Sequence, residues 1–263
     1  MINSLWKACS AKEKRIPAPT DEYYDDVSLL LHMDGANNST TFTDDSSNNY
    51  SLTANGNAKI STTQSTFGSS SGYFDGSGDY ASLNISGDSN FTFGTGDFTI
   101  EAFVYIVGNS PQASYHFGYT RDACIVGCFV DSANYPTGWV FGVSGDTTNT
   151  GTGIVFINYV NGTGHSLYAS QTLSKNTWYY VAASRSGTTT RLFIDGVLKN
   201  SGTLANQSIT GSNPLKVGRI GYYYNGISAD GSFYGYIDEL RVTKGIARYT
   251  SNYDTPDSPF PSS

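Results

Sequence analysis

The chain has 263 residues, of which 14% are charged and 14% aromatic, and it carries a net charge of −7. That length supports one large domain with a substantial core, and the acidic balance excludes a surface built to hold nucleic-acid phosphate. With charge this sparse, Ser, Thr, Asn, Gly and Tyr cover the surface, while the wealth of aromatic residues excludes disorder throughout.

Residues 1–26 show neither a strand nor a helix period. Lys7, Lys12, Lys14 and Arg15 come first, Pro17 and Pro19 follow, and Asp21, Glu22, Tyr23, Tyr24, Asp25 and Asp26 close the stretch. This reads as an irregular N-terminal arm that anchors the chain to a partner or, alternatively, folds back along the sandwich edge. Trp6, Tyr23 and Tyr24 would be its aromatic contacts, and Lys12, Lys14 and Arg15 its basic ones. Met1–Lys7 has no apolar signal core and no run reaches transmembrane length, so the expected setting is a cytoplasm, with no membrane partner.

From Val27 onward short strands alternate with turn chemistry. Val27–His32 is a strand stopped by Asp34-Gly35, and a polar loop fills 36–49. Tyr50–Ala54 runs into Asn55-Gly56, a hairpin signal. Gly72–Phe74 and Tyr80–Leu83 flank Asp75-Gly76-Ser77-Gly78, and Phe98–Val107 is a long alternating strand. Strands follow at 123–130, 139–144, 153–160 and 177–185. Arg191–Ile194, Asp195-Gly196 and Val197–Lys199 form the clearest hairpin, because Asp-Gly tolerates the two positive φ angles of a type I′ turn. Leu215–Ile220 and Phe233–Thr243 complete the series, and Lys244–Arg248 has room for one turn of helix. Many short strands without a helical period predict an all-β, two-sheet antiparallel sandwich over residues 27–263. Cys124 and Cys128, four apart in one strand, would share a face about 13 Å apart. They cannot bridge, and they read as buried thiols.

The ordered set Leu31-His32-Met33-Asp34-Gly35, Tyr73-Phe74-Asp75-Gly76, Gly96-Asp97-Phe98-Thr99-Ile100-Glu101, Trp178-Tyr179-Tyr180-Val181-Ala182, Phe193-Ile194-Asp195-Gly196 and Tyr236-Ile237-Asp238-Glu239-Leu240-Arg241-Val242 resembles the laminin G-like, concanavalin A-like jelly-roll family. The resemblance implies a jelly roll that serves lectins, glucanases, adhesion domains and virion proteins alike. It requires no cofactor and allows at most one structural calcium, for which Asp34, Asp75 and Asp238 are the candidate ligands; equally, Asp34 and Asp75 suit plain Asp-Gly turns.

Hydrolysis on this fold needs two carboxylates on one strand face, about 5 Å apart in a retaining enzyme. The Glu-x-Asp-x-x-Glu pattern of the related glucanases is missing, Glu101 stands alone, and the neighbours Asp238 and Glu239 would point to opposite faces. His32, His116 and His165 have no metal or triad spacing, so no catalytic residue is expected. Sugar binding would use flat aromatics with amide side chains. The candidates are the run Tyr222, Tyr223, Tyr224 and Asn225, together with Tyr135 and Trp139; Trp178 reads as core.

Two functions stay open. One is a non-enzymatic virion structural protein, a capsid decoration or tail component of a bacteriophage, assembled in the host cytoplasm and joined to other virion proteins by the arm. It would display a jelly roll towards host surface glycans, and because an arm that orders on binding pays an entropic cost, attachment needs either several copies, as in a homo-oligomer, or an additional contact with the domain. The alternative is a free-standing carbohydrate-binding or adhesion domain.

Overall fold

The computed structural model describes residues 20–108, 115–116, 119–120, 123–130, 137–144, 153–160, 163–204, 211, 214–224 and 227–263. In chain order the strands are β1 (Val27–Leu31), β2 (Thr53–Asn55), β3 (Lys59–Ser61), β4 (Ser71–Asp75), β5 (Tyr80–Leu83), β6 (Phe98–Ile106), β7 (Tyr115–His116), β8 (Tyr119–Thr120), β9 (Ala123–Val130) and β10 (Thr137–Ser144). They continue as β11 (Gly153–Val160), β12 (Thr163–Ser170), β13 (Trp178–Ser186), β14 (Thr189–Ile194), β15 (Val197–Thr203), β16 (Leu215–Val217), β17 (Arg219–Tyr224), β18 (Ile227–Ser232) and β19 (Tyr234–Lys244). Helix among the described residues is one short 3₁₀ turn, Tyr24–Asp26. Lys244–Arg248 is not helical; β19 ends there and an extended tail begins.

Two antiparallel sheets form the expected sandwich. Sheet A runs β15-β14-β13-β6-β19-β4-β3, with β1 also paired to β19. Sheet B runs β12-β11-β10-β9-β16-β5-β2. Strand alternation in β6 sets the layers. Phe98, Ile100, Ala102, Val104 and Ile106 enter the core between the sheets, against Trp139, Phe141 and Phe156 of sheet B. Thr99, Glu101, Phe103 and Tyr105 therefore face outward from sheet A.

The two Gly-containing turns near the start do not make hairpins. β2 pairs with β5 in sheet B, whereas β3 pairs with β4 in sheet A. Asn55-Gly56 and Asp75-Gly76-Ser77-Gly78 thus carry the chain from one sheet to the other. Gly56, Gly76 and Gly78 have positive φ, as these turns require; the hairpin expected at Asn55-Gly56 does not form, because the strands on its two sides join different sheets. Asp195-Gly196 is the predicted hairpin turn, at φ 50 and 71.

Two bulges shift the strand period. In β9, Phe141 pairs with Val126 but Gly142 with Cys124. The extra residue turns Cys124 towards the outer cluster of sheet B while Cys128 stays in the main core. Both are buried free thiols, as expected, but on opposite faces. In β19 the register slips between Asp238 and Arg241, with Glu239 at φ 48.

Candidate functional site: the outer face of sheet A

The outer face of sheet A has a covered half and an open half. Covering begins with the tail after β19. Tyr249 and Tyr253 stack at 3.5 Å between ring centroids. Tyr253 meets Phe193 at 5.3 Å, and Phe260 meets Tyr180 at 6.5 Å. The tail is held by the hairpin turn, since the Tyr253 N–H donates to Gly196 O over 2.9 Å.

Beneath the tail lies a buried ionic network. The Arg241 Nε donates to Glu101 Oε1 at 2.8 Å, and Arg241 Nη1 to Asp21 Oδ2 at 3.0 Å. Arg248 holds both oxygens of Asp21, at 2.9 and 2.7 Å. The Tyr249 hydroxyl donates to Glu101 at 2.7 Å, and Tyr180 does the same. Two carboxylates and two guanidiniums leave no net charge, which is what burial requires. Burial alone would raise the Glu101 carboxyl, but the two arginines win and hold it below its ordinary range. Glu101 is thus a sequestered structural anion with no access to substrate.

The expected arm boundary at residue 26 needs correction. Asp21 belongs to this network, its N–H donates to Ser263 O at 2.9 Å, and Arg248 lies over the Tyr23 ring. Tyr24 packs beside Val27, Leu30 and Phe260 and donates to Asp45 O at 2.7 Å. Tyr23 and Tyr24 are therefore part of the domain, which starts by residue 20. Trp6, Lys12, Lys14 and Arg15 lie outside the described residues. A cleft of about 380 Å³ opens where the ends meet, lined by Asp21, Tyr23, Arg248 and Phe260 among others, but its two arginines are already paired to Asp21.

The open half carries a row of rings. Tyr236 of β19 stands opposite Tyr73 of β4 on one side and Tyr105 of β6 on the other, and Tyr105 stands opposite Trp178 of β13. Centroid distances along the row are 4.9, 5.7 and 5.4 Å. Lys59 of β3, opposite Tyr73, extends it, with Nζ 5.9 Å from the Tyr73 centroid. Tyr73, Tyr105 and Trp178 are half-buried, and Tyr236 is buried between its neighbours. Burial first, then Tyr234, Tyr236 and Asp75, push the Tyr73 hydroxyl up to about 12, so it stays a hydrogen-bond donor at neutral pH. Trp178, expected in the core, is instead the end of this row.

Trp139 is the reverse case. It is fully buried and its indole N–H donates to Phe91 O at 2.9 Å, so it offers no face to a sugar. The side chains of Tyr222, Tyr223 and Tyr224, with Asn225 and Tyr135, lie outside the described residues. Tyr222 to Tyr224 do fall in β17, whose outward cluster partner Ile220 packs on Phe129 and Val140 of sheet B.

The three candidate metal ligands serve backbone groups. Asp238 Oδ2 accepts from the N–H groups of Thr66 and Phe67, at 2.7 and 3.3 Å, and Oδ1 from Glu239 at 3.0 Å. Asp34 accepts from Ser69 N–H and Ser70 Oγ, both at 3.4 Å. Asp75 accepts from Ser77 N–H at 2.8 Å and from Asn57 at 3.1 Å. Asp34 and Asp238 thus pin one loop, 66–70, from two sides. N–H donors pointing at both carboxylates repel a cation, and calcium needs six to eight oxygens. Among the described residues no group of three or more His, Cys, Asp or Glu is gathered to hold a metal, so this donor set does not fit calcium. Burial raises Asp238 to about 7. Nearby, His32 Nδ1 lies 2.9 Å from both Glu239 oxygens, its Nε2 meets Ser262 Oγ at 2.9 Å, and Phe260 N–H donates to Glu239 at 2.9 Å. The bulged Glu239 is the latch for the end of the tail, a role its sequence position gave no sign of.

A laminin G-type family model, described as the concanavalin A-like lectin/glucanases superfamily, matches residues 75–246. No curated protein matches the chain in sequence. Among solved structures, the binding domain of Paraclostridial Mosquitocidal Protein 1 aligns with a TM-score of 0.61 at 14% identity, over 85% of this chain and 50% of that one. The binding domain of botulinum neurotoxin serotype G aligns at 0.53 and 15%, over 86% and 48%. Domain 4 of AbnA, an extracellular arabinanase from Geobacillus stearothermophilus solved with arabinotriose, aligns at 0.53 and 16%, over 84% and 93%. The chain spans about half the length of the two toxin domains and nearly all of the arabinanase domain. At these identities the likeness is one of fold.

Proposed function

The chain belongs to the concanavalin A-like lectin/glucanases superfamily, and we propose that it is a non-catalytic carbohydrate-binding domain whose ligand lies on the row Tyr73, Tyr236, Tyr105 and Trp178. The observation that carries this reading is the row itself. Half-exposed aromatic rings on an outer sheet face are costly in water unless something stacks on them, and sugar faces are suited to that. That a domain of the same fold was solved with arabinotriose supports the class of ligand. The burial of Glu101 and Asp238 supports the lack of hydrolysis, because neither carboxylate reaches the surface.

The test is a glycan array and affinity electrophoresis of wild type beside Trp178→Ala. Retention that the variant loses, with its melting curve preserved, supports the site. Binding unchanged in the variant places the ligand elsewhere. Sugar release from any polysaccharide would refute the non-catalytic reading.

We further propose that the domain is a virion component, carried by residues 1–19 on a bacteriophage particle and turned towards host glycans. What supports this is a basic, proline-containing segment ahead of the domain, which suits attachment to a partner. A mass-spectrometric inventory of purified particles that lacks the protein would refute it.

A further inference from the structure

We propose that the aromatic row holds the interior of a neutral, unbranched polysaccharide lying across the strands, so that chain length and not a terminal sugar sets affinity. This rests on glycan binding at the row as proposed above. The row is a line, not a cup. It crosses β3, β4, β19, β6 and β13 in register, and with strands about 4.8 Å apart it is about 19 Å long. A single terminal sugar is held by a concave site that closes around it. At one end the row runs into exposed chain at Asn37 and Asn38, beyond Lys59; at the other, beyond Trp178, comes the β14–β15 turn, where Asp195 and Val197 are exposed. A polymer can therefore enter at one end and leave at the other.

Ring orientation narrows the class. Neighbouring planes meet at 46°, 80° and 58°. Successive faces turn different ways, which suits one soluble strand whose units rotate along its axis and not the flat face of a crystalline polymer. Charge narrows it again. Asp75 and Asp79 lie near Tyr73, and the chain as a whole carries −7. Against them stands Lys59, whose ammonium is already engaged by Asn38 Oδ1 at 2.9 Å and by the Tyr73 ring. A uronate-rich polymer would meet repulsion at that end.

The experiment has two stages. Affinity electrophoresis through xylan, lichenan, galactan and debranched arabinan is compared with alginate and polygalacturonate. Oligosaccharides of the retained polymer, from two to six units, are then titrated by calorimetry. The expected result is retention by a neutral polymer only, with affinity rising about tenfold between the disaccharide and the tetrasaccharide and then levelling off, for a row spanning about four units. Tyr105→Ala should lose about tenfold and Tyr105→Phe little, as ring stacking requires. If Tyr105→Ala does not fold, the length series on the wild type stands alone as the test. A disaccharide that binds as tightly as the hexasaccharide, or retention by uronate polymers alone, overturns the inference and leaves glycan binding intact. Absence of binding to every polymer and to a glycan array overturns both.

Discussion

Asp21→Asn, set beside two truncations, tests how the domain begins. Among the described residues, Asp21 is the only carboxylate other than Glu101 that meets the two guanidiniums, and its side chain is 5% exposed. Neutralising it leaves Arg241 and Arg248 to share Glu101, and removing one partner of a buried ion pair costs about 3–5 kcal/mol. With an unfolding entropy of about 0.5 kcal/mol/K for a domain this size, the melting temperature should fall by about 6–10 °C. Deleting residues 1–19 should leave it unchanged, because the network and the core it closes are built from residues 20–263, whereas deletion to residue 26 should cost at least as much as Asp21→Asn. The assay is differential scanning calorimetry at pH 7. A fall below 1 °C for Asp21→Asn, or an equal fall for the 1–19 deletion, would refute the network as the closure of the domain.

Stability should peak in mild acid. The folded state raises His32, where burial is outweighed by Glu239, and raises Asp238 to about 7 by burial. Both contributions are complete below the unfolded values and are lost as pH rises, for Asp238 between 3.8 and about 7 and for His32 above 6.5. Glu101 and Asp21 are depressed, so their contribution is lost as pH falls below the ordinary carboxylate range. Asp238→Asn should flatten the slope between pH 4 and 7 in urea titrations; an unchanged slope would contradict this. Calcium or EDTA should leave the melting temperature where it is, and a calcium-dependent rise would show that the loop 66–70 rearranges around an ion. Gly196→Ala should destabilise by more than 1 kcal/mol, since φ is 71 and a Cβ there would strike the Tyr253 carbonyl; equilibrium denaturation measures it.

The sequence made the sandwich and its strongest hairpin readable because both rest on local signals. Alternation of Val, Ile, Phe and Tyr reports a strand, and Asp195-Gly196 reports its turn. What alternation cannot report is which face is inner. Half of the outer face of sheet A is buried under the tail, so β6 and β19 are apolar on both sides, and Trp139 and Trp178 could not be told apart by pattern. The bulges at Ile125 and Glu239 then reversed the phase of Cys124 and of Arg241 relative to a regular strand. β12 and β18 were missed because Gly, Ser, His and Asp give them little β character and their pairing partners supply the order. The aromatic row was hidden for a different reason. Its members come from four strands as distant as Tyr73 and Tyr236, and only the sheet order brings them together.

The bond from Asp21 N–H to Ser263 O means that the path into this domain and the path out of it meet at one point. A fold with that property behaves as a cassette. It can be spliced into a surface loop of another protein without prising that loop apart, and its ends can be joined by a few residues while new ones are opened at an exposed turn such as Gly187. Whatever grips one end also grips the other, so a pull applied along the chain at both ends would first load the Asp21 clasp on one side and the Glu239 latch of β19 on the other.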